Sequence, residues 1–102
     1  MYGTVARVTV QPGKDEAFVA IGEQWVSERG DATGEIASYL FKLEERPGEY
    51  ILVGIFPDRE RYYANARDPE TDRWYRRMRA TLTADPEWRD GEVVQAAIRS
   101  GI

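Results

Sequence analysis

Three stretches of the chain alternate between apolar and polar side chains, and this period of two predicts β-strands. They cover residues 2–10, 35–44 and 50–56. Apolar side chains stand on both faces of these stretches, so neither face of the resulting sheet is expected to be freely solvated. Residues 91–99 contain valine, alanine and isoleucine after a glycine, and they predict a last strand.

Two other segments carry apolar residues at helical spacing. Residues 14–29 predict a first helix, which the glycine-containing segment 30–34 should end. A second helical segment starts after Asp58, breaks at Asp68-Pro69 and continues to residue 82; the aspartates suit N-caps and proline suits a first helical position. The two stripes expected to pack on the sheet contain Phe18, Ile21, Gly22, Trp25, Thr71, Trp74, Tyr75, Met78 and Leu82.

The dipeptide Pro47-Gly48 separates the second and third strands and is a strong turn signal. A hairpin centred on this dipeptide pairs Phe41 with Gly54 and Leu40 with Ile55. In that register one face of the sheet carries Tyr39, Phe41, Leu43, Leu52 and Phe56. The other face carries Leu40, Ile51, Val53 and Ile55.

The order strand, helix, strand, strand, helix, strand predicts one α+β domain over residues 1–102, with the ferredoxin-like βαββαβ arrangement and an antiparallel sheet. Its helices cover only one sheet face. Because the second face is also apolar, we expect a homodimer in which two sheets pack face to face. Arg7 lies on that second face and would need a carboxylate partner there.

Composition narrows the chemistry and the partners. The chain has neither cysteine nor histidine, which removes thiolate metal sites, the usual general base near neutral pH and the commonest metal ligand, so we predict no metal site. A net charge of −4 argues against a nucleic-acid partner. No stretch approaches the roughly 20 apolar residues of a membrane span, and the N-terminus lacks a signal-peptide pattern. We therefore expect a cytoplasmic protein without a membrane partner.

Three stretches resemble the antibiotic biosynthesis monooxygenase family: the turn VQPG, the hairpin SYLFKLEERPGEYILVGIF and the segment YYANARDPETDRWYRRM. The resemblance covers nearly the whole chain. It implies a dimeric α+β barrel with a pocket in each protomer between the sheet and the two helices. Members of the family include cofactor-free oxygenases of aromatic polyketides, quinol oxygenases and heme-degrading enzymes.

The chain departs from the family pattern at three pocket positions. Asn65 stands where many members place a histidine, Ala6 where the heme-degrading branch has an asparagine, and Gly54 where many members have a glutamate. These departures argue against heme degradation, and the resemblance then implies chemistry without a cofactor. Any acid–base role must fall to other groups.

The candidate catalytic residues are Asn65, Trp74 and Tyr75. The amide of Asn65 would hold a phenol or quinone oxygen and stabilise an oxyanion, or the residue would cap or kink the break between the helical pieces. Trp74 would stack on an aromatic ligand or fill the core. Tyr75 would donate to a phenolate or shuttle a proton, or it would pack as a half-buried side chain.

The candidate ligand-binding residues are Trp25, Tyr39, Tyr62 and Arg77. Both tyrosines have the same alternatives as Tyr75. Arg77 would anchor a ligand carboxylate in a bidentate manner or lie on a solvated helix edge.

Two functions therefore remain open. The first is cofactor-independent monooxygenation of an aromatic, phenolic or quinol small molecule in a pocket between sheet and helices. The second is a non-catalytic role, either as a small-molecule-binding protein or as a structural dimer on the same scaffold.

Overall fold

Helices and strands follow the order that the sequence predicts, including the break that divides the second helical segment in two. A computed structural model of the chain describes residues 1–99. Its elements are β1 (Tyr2–Thr9), α1 (Asp15–Thr33), β2 (Ala37–Lys42), β3 (Glu49–Phe56), α2 (Arg59–Arg67), α3 (Pro69–Arg79) and β4 (Glu87–Glu92). The strands form an antiparallel sheet in the order β2-β3-β1-β4. This confirms the predicted ferredoxin-like α+β fold.

The hydrophobic core fills one end of the space between the sheet and the helices. It is built from buried side chains of β1, α1, β3 and the segment after α3, namely Val8, Val10, Phe18, Tyr50 and Leu82. The hydroxyl of Tyr50 donates to Asp15 Oδ2 at 2.6 Å, which ties the first turn of α1 to the start of β3. The opposite end of the same space is not filled in this way.

Two aspartate caps divide the second helical segment as predicted. The side chain of Asp58 accepts the backbone N–H of Arg61 at 2.8 Å, and that of Asp68 accepts the backbone N–H of Glu70 at 2.9 Å. Asp68 also pairs with Arg29 of α1 at 3.2 Å. The break between α2 and α3 is therefore held against α1 by an ion pair.

The predicted last strand is wrong in its position. β4 pairs Trp88 with Ala6 and Glu92 with Tyr2, whereas Val94 and Ile98 lie beyond it and are more than nine-tenths exposed. The chain already meets β1 at the bridge between Leu82 and Val10, so the strand that runs beside β1 comes from the polar residues that follow. Residues 100–102 of the predicted domain lie outside the part of the chain that the structure describes.

The first helix ends within the predicted segment 30–34 but extends four residues beyond residue 29. α1 continues through Gly30 to Thr33 and ends at Gly34, whose φ of 77° is the left-handed conformation of a helix C-cap. A glycine inside a helix lowers stability but does not have to end it. The extension carries the chain to Glu35 at the edge of the sheet.

The hairpin register differs from the prediction by three residues. Phe41 pairs with Ile51, not with Gly54. The N–H of Glu49 bonds to the carbonyl of Arg46, and Gly48 has φ 85°, so Pro47-Gly48 forms the middle of a type II turn at one side of a longer loop. Such turns fit the twist of a two-residue hairpin poorly. Because the shift is odd, it exchanges the faces of β2 relative to β3.

The register leaves an apolar sheet face away from the helices. Val5, Tyr39 and Phe41 on this face are 46%, 56% and 57% exposed. Arg7 lies on the same face, and its Nε bonds to Glu87 Oε2 at 3.0 Å. The carboxylate partner that Arg7 was expected to need is supplied by the neighbouring strand of the same chain.

Gly48→Ala should destabilise the protein because alanine would have to adopt the positive φ of this position. The added Cβ would also lie 3.4 Å from the carbonyl oxygen of Val10. We expect a loss of about 1–2 kcal/mol in the free energy of unfolding. Gly91→Ala is the matched control, since nothing lies within 4 Å of its added Cβ, and it should stay within about 0.5 kcal/mol of wild type. Equal losses in both variants by urea titration would contradict the type II turn.

Candidate functional site

A cavity of about 520 Å³ lies between the sheet and the three helices. Its floor is a cross-strand row of short side chains, in which Ser38 pairs with Gly54, Gly54 with Thr4, and Thr4 with Asp90. The neighbouring row contains leucine, alanine and tryptophan side chains, and the far end of the sheet carries the core. The space exists because this one row has no large side chain to fill it.

Eight aromatic side chains contribute to the walls. The contributing residues are Phe18, Trp25, Phe56, Tyr62, Tyr63, Trp74, Tyr75 and Trp88. The rings of Trp25 and Trp74 meet edge to face, with centroids 6.1 Å apart and an interplanar angle of 79°. Trp74 is only 8% exposed. The structure thus brings the predicted stripes of α1 and α3 together around one apolar space, which favours a flat aromatic ligand.

Glu35, which no sequence pattern singles out, is the one glutamate among the lining residues in the described chain. It lies between α1 and β2, and its carboxylate extends over Gly54. A Cβ placed on Gly54 would lie 3.0 Å from Glu35 Oε2. A glycine inside a strand often marks such a close approach, and this was the available signal.

Burial raises the pKa of Glu35 from its ordinary value of 4.5 to about 7. The indole of Trp25 favours the charged carboxylate and offsets part of that rise. Near neutral pH Glu35 is therefore divided between its protonated and its charged form. A carboxyl group with this pKa can both take up and release a proton near neutral pH.

Asn65 also lines the cavity, and the hydroxyl of Thr71 donates to its Oδ1 at 2.8 Å. The cap between α2 and α3 is supplied by Asp68, not by the Asn65 side chain. Within residues 1–99 we find no hydrogen bond donated by the amide nitrogen of Asn65. That nitrogen is thus free to donate to a ligand oxygen.

A group of tyrosines closes one end of the cavity. The hydroxyl of Tyr62 donates to Asp90 Oδ1 at 2.7 Å, and the hydroxyl of Tyr63 lies 3.5 Å from Asp90 Oδ2. Burial, followed by the bond to Asp90, raises the pKa of Tyr62 above its ordinary value. Tyr62 therefore stays protonated and serves as a hydrogen-bond donor, not as a base. Tyr75 lies nearby, its ring centroid 6.4 Å from that of Trp88.

Two predicted ligand-binding residues lie elsewhere. Tyr39 borders the cavity but pairs with Val53 on the sheet face away from the helices. The three-residue shift of the hairpin is the reason. Arg77 is exposed and does not line the cavity; its guanidinium lies 4.4 Å from the centroid of the Trp74 ring and donates to Gln24 at 2.6 Å. The structure gives no support for a contact between either side chain and a ligand inside the cavity.

Over the described residues, no group of three or more acidic, histidine or cysteine side chains is placed to hold a metal ion. In the same part of the chain, none of the helices has the length and apolar character needed to cross a membrane.

The chain combines a ferredoxin-like α+β sheet with an aromatic cavity under its helices. The sequence model of the family described as antibiotic biosynthesis monooxygenase matches residues 1–77. The chain belongs to this family, as the resemblance indicated. A search among curated proteins found no match.

Solved structures share the fold over almost the full chain. The cofactor-independent oxygenase SnoaB from Streptomyces nogalater, solved as a mutant, has a TM-score of 0.79 at 17% identity, covering 93% of this chain and 94% of its own. An antibiotic biosynthesis monooxygenase has a TM-score of 0.77 at 17% identity, covering 93% and 100%. A conserved protein from Methanosarcina mazei Go1 has a TM-score of 0.78 at 17% identity, covering 88% and 89%. At these identities the likeness concerns the fold.

Glu35→Gln should stabilise the protein at about pH 8 and have little effect at about pH 4. The folded state binds the Glu35 proton more tightly than the unfolded chain, because the pKa is about 7 instead of 4.5. The stability from this group is fully present below the lower value and is lost as the pH rises through the higher one. We expect wild type to lose about 2 kcal/mol relative to the variant over this window, allowing for partial solvent screening.

Urea unfolding at both pH values measures the effect. Glu44→Gln, which removes an exposed carboxylate on the hairpin loop, is the control and should change stability by less than about 0.5 kcal/mol at either pH. A difference between Glu35→Gln and wild type that does not vary with pH would show that the Glu35 pKa is not raised.

Proposed function

We propose that this chain is a cofactor-independent monooxygenase of a phenolic or quinol aromatic molecule, which it binds in the cavity between the sheet and the helices. The observation that carries the proposal is the aromatic-lined cavity of about 520 Å³ in a chain of this family. That volume is within the range of small-molecule sites and fits a fused-ring aromatic. The cofactor-independent activity of SnoaB, which shares the fold, supports the reaction class.

Such a reaction needs no external reductant. A substrate methylene flanked by aromatic rings is converted to a carbonyl: it loses two hydrogens and gains one oxygen atom of O₂, and the other oxygen atom leaves as water. The substrate supplies all four electrons. The protein's task is to bind the ring system, remove a proton to make it electron-rich, and exclude water from the intermediate.

The proposed roles follow from the positions of the side chains. Trp25 and Trp74 form an apolar wall against which a flat ring system stacks. The amide nitrogen of Asn65 donates to the substrate oxygen that becomes negative, while Thr71 holds the other end of the amide. Tyr62 also lines the cavity; because its hydroxyl donates to Asp90, its oxygen is left to accept a hydrogen bond from a substrate hydroxyl.

We further propose that the protein is a homodimer through the apolar sheet face. Val5, Tyr39 and Phe41 expose a large part of their surface there, and a monomer rarely leaves such a contiguous patch in water. The exposed Val94 and Ile98 beyond β4 provide further apolar surface for a second chain. A face-to-face pair of sheets would bury the patch on both protomers.

Asn65→Ala should weaken binding and turnover of a hydroxyanthrone by about tenfold or more, because it removes a hydrogen bond to a charged oxygen worth roughly 1.5–3 kcal/mol. Oxygen uptake and ligand titration measure the two quantities. Thr71→Val breaks the same internal hydrogen bond but leaves the amide in place, so it should retain most of the affinity. If both variants lose stability and neither changes ligand response, Asn65 is structural; absence of oxygen uptake by wild type with any hydroquinone or anthrone would leave a binding or structural role.

Light scattering should give a mass of twice the 11.7 kDa chain. Phe41→Asp should shift the protein towards the monomer, because a charge would be buried without a partner in the sheet-to-sheet contact. Val26→Asp is the control: Val26 is 55% exposed on α1, away from the apolar sheet face, so the dimer should persist. A wild-type protein that is monomeric at micromolar concentration, or equal dissociation by both substitutions, would contradict this interface.

A further inference from the structure

We propose that Glu35 is the general base of the cavity and takes the proton from the acidic hydroxyl or benzylic carbon of the substrate. For its substrate class the assignment rests on the proposed function. In the step, the O–H or C–H bond of the substrate breaks, a new O–H bond forms on the Glu35 carboxylate, and the electron pair stays on the substrate. The carboxylate becomes a neutral acid, and the substrate becomes the anion that reacts with oxygen.

The position of Glu35 suits this task. Its carboxylate lies over the floor of the cavity, in the space that opens because Gly54 has no side chain. A Cβ on Gly54 would meet Glu35 Oε2 at 3.0 Å. The backbone next to Glu35 is held by the bond from the Ile36 N–H to the carbonyl of Ile55, at 2.8 Å. The acid group is therefore held at the apolar site instead of extending into solvent.

The charges around Glu35 favour proton transfer over capture of an anion. The titratable groups that line the cavity with it are Tyr62 and Tyr63 from α2, Asp72 and Tyr75 from α3, and Asp90 from β4, while Tyr39 of β2 only borders it from the other sheet face. The lining residues of α1, β1 and β3 are uncharged, and in the described chain the lining includes no lysine or arginine. A ligand that arrived as an anion would add charge to an acidic cavity. A neutral ligand that gives its proton to Glu35 leaves the total charge unchanged.

Two arginines near the cavity are engaged outside its wall. Arg61 pairs with Asp58, and part of its side chain passes near Gly34. Arg29 pairs with Asp68 and lies over the Trp25 ring. Neither supplies a positive charge inside the cavity that would attract a ligand already ionised in solution.

The other titratable groups are less suited to accept the proton. Asp90 already accepts the Tyr62 hydroxyl at one oxygen and has the Tyr63 hydroxyl near the other, so each of its oxygens is next to a tyrosine donor. Burial and this hydrogen bond keep Tyr62 protonated. By contrast, burial brings the pKa of Glu35 to about 7, which makes it a proton acceptor a few hundredfold better than an ordinary glutamate while it stays half-ionised at neutral pH.

Oxygen consumption with a hydroxyanthrone, followed against pH, tests the assignment. Wild-type kcat/KM should rise as the pH passes through about 7, because the ionised carboxylate is the active form. Glu35→Gln should lower kcat about a hundredfold to ten-thousandfold, remove this limb of the profile and leave KM nearly unchanged. Gly54→Ala pushes the carboxylate aside without removing it and should lower kcat by less. Glu44→Gln should behave as wild type.

A second measurement does not depend on turnover. Para-nitrophenol is half-ionised near neutral pH. It is titrated into wild type and Glu35→Gln at a higher pH, at which the free ligand is the yellow phenolate anion. If Glu35 can hold the proton, wild type should take up about one proton per bound ligand while a phenolate band persists. The Glu35→Gln variant should show the same phenolate absorbance but no proton uptake. Absorbance gives the ionisation of the ligand, and calorimetry in buffers of different ionisation enthalpy gives the proton uptake.

The outcomes separate this assignment from the proposed function. Wild type that consumes no oxygen but shows proton uptake with a persisting phenolate band rejects the oxygenase and keeps Glu35 as proton acceptor. The assignment is overturned if Glu35→Gln turns over substrate with the wild-type pH profile, even if the oxygenase activity is real. It is also overturned if both proteins take up equal numbers of protons at equal phenolate absorbance. Circular dichroism of both variants checks that they are folded.

Discussion

The close approach of Glu35 to Gly54 is the contact on which the candidate site depends. β3 can accept a carboxylate above its backbone only because it has no side chain at Gly54. Ser38 and Thr4, which pair with Gly54 on the neighbouring strands, have short side chains, so the floor of the cavity stays low. One row of short residues therefore creates both the space for a ligand and the place for an acidic group.

The surroundings of the Glu35 carboxylate explain its raised pKa. Taking a charge out of water is costly, and no cation among the lining residues offsets the cost for Glu35. Trp25 offers only partial compensation. The fold thus keeps a group whose charged form is disfavoured in a largely apolar cavity, an arrangement common at functional sites. A purely structural protein would gain stability by replacing it.

The two faces of the sheet serve different purposes. The helix-facing side holds the core at one end and the cavity at the other, while the far side is apolar and open. The ion pair between Arg7 and Glu87 satisfies a charge on that open side within one chain. Val5, Tyr39 and Phe41 form an exposed apolar area on the same side, which suits packing against a second sheet.

The sequence by itself determined the fold class, the family, the break at Asp68-Pro69 and the helix stripes that contain Trp25 and Trp74. These features depend on local periodicity, turn chemistry and caps, which are determined by residues close together in the sequence. Asn65 was singled out by the family resemblance, at a position where many members place a histidine. The position of β4 was missed because its pairing with β1 overrides its polar composition.

Only the tertiary structure decided the hairpin register, the exclusion of Tyr39 and Arg77 from the cavity interior, and the presence of Glu35 there. Register depends on the geometry of the turn at Gly48 and on pairing with β1, and an odd shift moves every side chain of a strand to the other face. Glu35 and Gly54 are distant in sequence and carry no motif together. Their contact, and the burial that raises the pKa of the carboxyl group, arise only when β2 and β3 pair and the helices close over them.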